Sequence, residues 1–431
     1  MSDFLLITLG SHGDVHPFVG IGRDLAARGH RVRLAANDIF RPMVEQAGLG
    51  FIPCGDREVF TKVLSNRDVW HHQRGPKVIL ESIGESLQQV YDLVTGEAGA
   101  GTFVVGSSLA LGARCAAEKH KLAMATIHLA PICIRSHEVM PVLPGGIDVN
   151  YVPRAWRKRF WEGADRFVID PLILPKLNPF RVSIGLPPVE RFQAGWWSAP
   201  LLTIGLWPAW FLPRQPDYPP QVRLAGFPLY DESDHVALDD DLEAFLAAGA
   251  PPVAFTPGSA MVFGHKFFAA AVDACRRLGR RGLLVTRHAQ HLPARLPPFV
   301  RHVPFAPFGL LLPRCAAIVH HGGIGTTAQG LRAAIPQLIM PMSHDQPDNA
   351  AICRRLGVAA AVRPAFFTGW NVARKLHRLL NSPDVARACE AVAACARGDD
   401  PAAASALLIA AADAAEKNAS LMPVGAGQTA V

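Results

Sequence analysis

Short apolar runs alternate with longer amphipathic stretches along nearly the whole chain. Phe4 to Leu9 is almost continuously apolar, the pattern of a central parallel strand covered on both faces. Gly10-Ser-His-Gly-Asp-Val-His-Pro17 follows, and then Phe18 to Arg28 has helical spacing, with Gly29 placed to end the helix. His30 to Ala35 reads as the next strand, completing one βαβ unit. Further strands are expected at 50–53, 102–106, 123–128 and 201–206, with helices at 77–94 and 109–120. Residues 136–165 read as irregular and aromatic. Pro208, Pro213, Pro216, Pro219 and Pro220 then cluster, which reads as a linker.

A second series follows the linker. Strands are expected at 252–256, 282–286, 300–305, 310–312, 318–320 and 337–340. Helices are expected at 267–278, 349–356, 373–380 and 402–416, with a disordered tail from Asn418. The pattern predicts an α/β fold of two facing Rossmann-like domains with a cleft between them. Their expected extents are 1–215 and 216–400, followed by a C-terminal helix and tail at 401–431. No repeat of solenoid period is present.

Composition narrows the class. At 431 residues, half of them hydrophobic, the chain has material for two cores. Its net charge of +7 suits an acidic ligand or an anionic membrane surface without requiring either. No run of Lys and Arg interleaved with aromatics points to nucleic acid. The 8 Cys include no C-x-x-C pair and sit mostly among apolar residues. They read as reduced thiols of a cytoplasmic protein, not as a disulfide framework or zinc site. The N-terminus lacks the basic region of a signal peptide, and no apolar run is long enough to span a bilayer.

The chemistry concentrates after the strand at 318–320. His320-His-Gly-Gly-Ile-Gly-Thr-Thr327 is a Gly-rich strand-to-helix turn with two His and two Thr. Small residues let an anion approach the backbone, and N–H groups at the helix start point at it. Thr326 and Thr327 add hydroxyl donors. Asp345-Gln346 comes next, then Asn349, and carboxylate plus carboxamide is what grips a polyol. A phosphate cradle followed by a hydroxyl-binding pair fits a sugar carried on a diphosphate. At the other end of the chain, the Gly10 turn presents Ser, His and Asp where open α/β sheets bind ligands. It lacks the G-x-G-x-x-G fingerprint, so no dinucleotide is expected.

Two motifs are set aside. Asp239-Asp-Asp241 contains a D-x-D, but it precedes an apolar helical pattern and reads as an acidic helix start. His71-His72 has no matching ligand cluster and reads as a loop pair. No required metal is expected. Trp156 to Trp161, with Trp196, Trp197, Trp207 and Trp210, lines a greasy acceptor pocket, rests on a membrane surface, or simply packs.

HHGGIGTT followed by HDQPDNA resembles the donor-binding signature of family 1 nucleotide-sugar glycosyltransferases of the GT-B fold. GSHGDVHPFVGIGRDLAARGHRV, LAGFPLYD, FTPGS and FAPFGLLLPRCAAIVHHGGIG extend the resemblance over about residues 3–395. Within the family, the similarity is greatest to rhamnosyltransferases of rhamnolipid biosynthesis, then to sterol and antibiotic glycosyltransferases. The resemblance implies an inverting hexosyltransferase, with the acceptor on the N-terminal domain and a dTDP- or UDP-sugar on the C-terminal one. It implies no cofactor beyond that donor, and a hydrophobic acceptor such as a hydroxy fatty acid lipid, sterol or polyketide. Asp14 matches the carboxylate that some members use as general base, and His12 is the alternative. The bland role for Asp14 is a helix cap. Gly106-Ser107-Ser108 offers no Asp for a His–Asp dyad. On the donor side the resemblance marks Ser259, His320 and His321, Gly323, Gly325, Thr326 and Thr327 for phosphate, and Asp345 and Gln346 for the sugar. Phe305 stands where the family stacks a Trp on the base, although plain core is its bland reading. Two further readings stay open: a nucleotide-sugar epimerase of the same fold, and a non-catalytic partner protein. Acceptor identity, oligomeric state and membrane contact are left open.

Overall fold

The computed structural model describes residues 1–259, 261 and 264–421, the side chains of 419–421 excepted. The strands, in chain order, are β1 (Asp3–Ile7), β2 (Arg31–Ala36), β3 (Gly50–Pro53), β4 (Thr102–Ser107) and β5 (Met124–His128). A small hairpin, β6 (Val142–Leu143) with β7 (Ile147–Asp148), comes next, then β8 (Leu202–Gly205) and β9 (Val222–Leu224). The second series is β10 (Val253–Thr256), β11 (Gly282–Val285), β12 (Val300–Val303), β13 (Ala317–His320), β14 (Gln337–Ile339) and β15 (Ala359–Ala361).

These strands build two parallel sheets. The first runs β3-β2-β1-β4-β5-β8-β9 and the second β12-β11-β10-β13-β14-β15. Their apolar residues alternate between faces, as the pleat requires. Phe4 and Leu6 enter one core of the first sheet, while Leu5 and Ile7 enter the other. Val253 and Phe255 divide from Ala254 in the same way in the second. Covering both faces is why these strands read as continuous apolar runs.

The strand orders fix where ligands go. In the first sheet the chain builds outward from β1 to β3, then reverses and adds β4 on the other side of β1. In the second, β10 to β12 run one way and β13 starts the other way beside β10. At each reversal the two diverging loops leave a crevice at the carboxyl ends of the strands. The crevices lie after β1 and β4, and after β10 and β13.

The structure differs from the sequence reading in five places. The proline cluster is not a free linker: Trp207, Phe211 and Tyr218 are buried with Leu331, Cys353 and Val392 of the second half. Because β9 still pairs with β8, the first domain extends past the boundary drawn at 215. Residues 154–183, within and beyond the stretch read as irregular, form a helix Arg154–Ala164, a π-turn Asp165–Ile169 and a helix Asp170–Ser183. Leu310 to Leu312 is helical, since the helix Phe308–Leu311 runs into a 3-10 turn. The C-terminal helix, Ala403–Leu421, packs on the first domain, burying Ala404, Leu408 and Ala412 beside Phe18, Ile21 and Leu25. It continues past Asn418, and the rest of the expected tail lies outside the described residues.

Candidate functional site

The Gly10 turn is tighter than the sequence pattern indicated. The helix starts at His12 and runs to Ala27, so Asp14 sits in its first turn, with Pro17 inside the helix. Asp14 Oδ2 accepts from Ser11 N–H at 2.7 Å and from Ser11 Oγ at 3.2 Å. The capping role is therefore real, and Ser11 engages only one carboxylate oxygen. Gly10 has φ +122°, and a Cβ there would lie 2.4 Å from Asp14 Oδ2, so the turn leaves room for a carboxylate and nothing more. Burial pushes the Asp14 carboxyl up to about 6; the Ser11 hydrogen bonds oppose that, and the Asp345 charge adds to it. The Asp345 charge thus reaches Asp14 from the second domain.

His12 is held differently. Its Nε2 lies 2.8 Å from Arg287 Nη1, and a guanidinium only donates, so His12 is the acceptor in this pair. Phe40 packs edge-on at 4.9 Å. Burial first, then Arg287 and His16, lower His12 to about 4, with Glu232 opposing. The imidazole is neutral, and its free lone pair is already taken by Arg287.

Arg287 was not foreseen from the sequence. It follows β11 at the ligand-binding end of the second sheet, and that position was the available signal. Its guanidinium also lies 5.0 Å from the centre of the Phe305 ring. Phe305 is half-buried and belongs to none of the apolar cores, so the plain-core reading fails. Ser259 is exposed in the turn after β10.

The Gly-rich turn separates the two histidines. His320 has no exposed surface; its Nε2 pairs with Gln337 Oε1 at 2.8 Å and its Nδ1 accepts from Gly322 N–H at 3.1 Å. Both ring nitrogens are used inside the protein, and burial lowers the ring to about 3. The expectation that His320 binds phosphate is corrected: it is a structural residue. Thr327 has no exposed surface either, but its Oγ1 is buried without a partner, so unlike His320 it keeps an unspent polar atom. His321, by contrast, is half-buried, and its Nδ1 is buried without a partner. Its ring lies between Gly258 and Gly323, whose added Cβ atoms would stand 2.6 and 2.5 Å from it. Burial, then His344, lowers His321 to about 4, so it meets a ligand as a neutral ring with one N–H to give. Gly325 is exposed and Thr326 half-buried in the first turn of the helix Ile324–Arg332.

Asp345 lies over that helix start. Its carboxylate accepts from Asn349 Nδ2 at 2.7 Å, and the Ile324 backbone N–H favours its charged form. Burial nonetheless raises it to about 6. Asn349 also donates to Gly322 O at 2.9 Å, tying the sugar-pair loop to the phosphate loop. Gln346 spends its oxygen on Met342 N–H (2.8 Å) and Ser343 N–H (3.2 Å), which leaves its amide NH₂ to act as donor. The segment is also sewn to the first domain, through His344 Nε2 to Val69 O at 2.9 Å and Val142 N–H to Asp348 Oδ1 at 2.9 Å.

The motifs set aside behave as helix and loop features. Asp239 caps the helix Asp240–Ala247 by accepting from Leu242 N–H at 2.7 Å, and Asp241 pairs with Arg301. His71 and His72 stack on each other at 4.6 Å. Among the described residues no group of three or more His, Cys, Asp or Glu is arranged to hold a metal ion.

The assignment of His320 carries a measurable consequence. His320→Ala is expected to destabilise the fold by about 1–3 kcal/mol, because it leaves Gln337 Oε1 and Gly322 N–H unpaired. Nucleotide diphosphate affinity of the folded variant should stay near wild type. Urea unfolding and calorimetric titration check the two halves. In the wild type, the ring is neutral when folded but ordinary when unfolded. Its contribution is therefore complete above about pH 6.5 and is lost as pH falls towards about 3.

Comparison with known proteins adds an independent line. The glycosyltransferase family 28 N-terminal domain matches residues 4–136, and the erythromycin biosynthesis protein CIII-like C-terminal domain matches residues 281–405. An O-mycaminosyltylonolide 6-deoxyallosyltransferase of Streptomyces fradiae is 33% identical over 395 residues, covering 83% of this chain and 85% of that protein. A sterol 3-beta-glucosyltransferase of Arabidopsis thaliana is 29% identical over 362 residues, covering 80% of this chain and 55% of that one. Among solved structures, a spinosyn rhamnosyltransferase complexed with thymidine diphosphate superposes with a TM-score of 0.66 at 19% identity, covering 93% of this chain and 98% of that one.

Proposed function

We infer the reaction from one premise: the chain belongs to the family 1 glycosyltransferases of the GT-B fold, and it is a glycosyltransferase of the antibiotic and sterol type. Beyond that, we propose that it moves a hexose, rhamnose or glucose, from a dTDP- or UDP-sugar to a hydroxyl of a hydrophobic acceptor, with inversion. The observation that carries this is the pairing of the two crevices. Asp14 follows β1 in one crevice, Asp345 lies beside the Gly-rich helix start in the other, and the Asp345 charge raises the Asp14 acid.

In this reading the diphosphate rests on the N-terminus of the helix Ile324–Arg332, with His321, Thr326 and Ser259 as donors. The nucleobase stacks on Phe305. Asp345 and the Gln346 amide hold the sugar hydroxyls and set C1 in front of the acceptor oxygen. Asp14 takes the acceptor proton as the oxygen attacks C1 and the bond to the diphosphate breaks. His12, already engaged by Arg287, orders the turn and does not compete for that proton. No step draws on a metal ion.

The test is a thermal-shift screen over dTDP- and UDP-sugars, followed by nucleotide diphosphate release with hydrophobic alcohols. Stabilisation by one donor, with release that requires acceptor and survives EDTA, is expected. Conversion of the donor to an isomeric nucleotide-sugar without acceptor, with no net nucleotide diphosphate released, supports the epimerase reading. Donor binding with no turnover on any lipid, sterol or polyketide supports the non-catalytic one. Loss of turnover in EDTA, restored by Mg²⁺ or Mn²⁺, contradicts the metal-free step.

A further inference from the structure

The helical segment 154–183 carries an outer face that the transfer site does not use. Tyr151 is 88% exposed, Trp156 56%, Phe167 74% and Val168 56%. Trp156, Arg159, Gly163, Arg166 and Phe167 recur at helical spacing and share one side of the element. Arg159 lies 5.2 Å from the centre of the Trp156 ring and Arg166 5.5 Å from that of Phe167, so each cation sits over an aromatic. Lys158 is exposed beside them, and Glu162 is the exposed acid of the face.

This face is rigidly presented. Its inner side is clamped: Arg157 donates to the carbonyls of Val152 (2.9 Å), His137 (3.0 Å) and Asn150 (2.9 Å), and Trp161 Nε1 to Ser136 O at 3.1 Å. Arg135 grips the buried Asp165. The aromatic rings outside are therefore held out by the fold. They sit on the segment that begins at Cys133, whose thiol is raised by burial and then by the Asp345 charge, and that reaches the donor domain through Val142 and Asp348. The patch therefore belongs to the segment of the first domain that also contacts the donor half.

We propose that this face docks the protein peripherally on an anionic lipid bilayer. Trp156, Phe167 and Tyr151 insert at the headgroup level, while Lys158, Arg159 and Arg166 meet the lipid phosphates. Charge selects this occupant over a second copy of the chain. A two-fold interface sets the patch against itself and brings these cations together. An anionic surface neutralises them. Docking brings the protein to the lipid, where a hydrophobic acceptor is concentrated. That purpose rests on the proposed acceptor class; the binding itself does not.

The experiment is co-sedimentation of the full chain with phosphatidylcholine vesicles, with and without phosphatidylglycerol. Binding is expected to the anionic vesicles and to weaken as salt rises. Trp156→Ser with Phe167→Ser, and separately Arg159→Glu with Arg166→Glu, should each lower the bound fraction roughly tenfold. Both variants should keep wild-type melting and the wild-type thermal shift with donor, which separates this result from any failure of the transfer reading. Should the aromatic pair fail to fold, the exposed charge reversal still decides. No binding to anionic vesicles, equal binding by the charge variant, or a wild-type dimer that the aromatic variant breaks overturns the proposal.

Discussion

Asp14→Asn is expected to keep the fold and donor affinity while losing turnover by roughly 10²–10⁴-fold, the range for a positioned general base. The substitution keeps the shape and an acceptor oxygen for Ser11 N–H, so the helix cap survives. What disappears is the basic oxygen. The pH profile separates this from a structural effect. Burial raises Asp14 to about 6, and the base works only when ionised. The kcat/KM of the wild type should therefore fall as pH drops through about 6, well above the range of an ordinary carboxylate. Asp345 is raised to the same region, so the limb belongs to the coupled pair. Asp14→Asn should flatten it. Near-wild-type activity in that variant, with a dead His12→Ala, would move the base to His12 and contradict the Arg287 contact that occupies its lone pair.

The sheets were legible because both faces of each are covered. Phe4 to Ile7, Val253 to Phe255 and Ala317 to Val319 read as unbroken apolar runs. The helix at 154–183 was not legible. Pro171, Pro175 and Pro179 argue against it locally, and the contacts that hold it are distant in sequence: Arg181 with Glu118, and Arg135 with Asp165. The proline cluster misled for a similar reason, since only Leu331, Cys353 and Val392, far downstream, show that Trp207 is packed.

The site was readable as motifs but not as geometry. His320-His321 gives no sign of which ring faces the cleft. The strand's two-residue alternation decides it: β13 ends at His320, whose side chain turns inward to Gln337 of β14, and His321 begins the turn. Asp14 read as either cap or base because the sequence cannot show that Ser11 engages only one of its oxygens. Arg287 offers only its place after β11, and its meaning comes from Phe305 and His12 reaching it from two other elements.

Donor orientation gives the other large effect. His321 has a buried nitrogen without a partner between two glycines, at the start of a helix whose first N–H groups favour an anion. If the diphosphate sits there, His321→Ala removes a donor to charge that grows as the glycosidic bond breaks. It should weaken UDP or dTDP binding by roughly tenfold and slow the chemical step as well. Asp345 predicts the opposite for free nucleotide diphosphate. The Ile324 N–H of the same helix start favours its charged form, so it is an anion beside the proposed anion site. Asp345→Ala frees that N–H and removes a like charge. Diphosphate affinity should stay the same or tighten, while transfer and sugar selectivity collapse because the hydroxyl grip is gone. Calorimetric titration of UDP and dTDP into the two variants reads the contrast directly. An Asp345→Ala protein that loses nucleotide diphosphate, or a His321→Ala protein that binds it as tightly as wild type, would mean that the donor lies the other way round in the cleft.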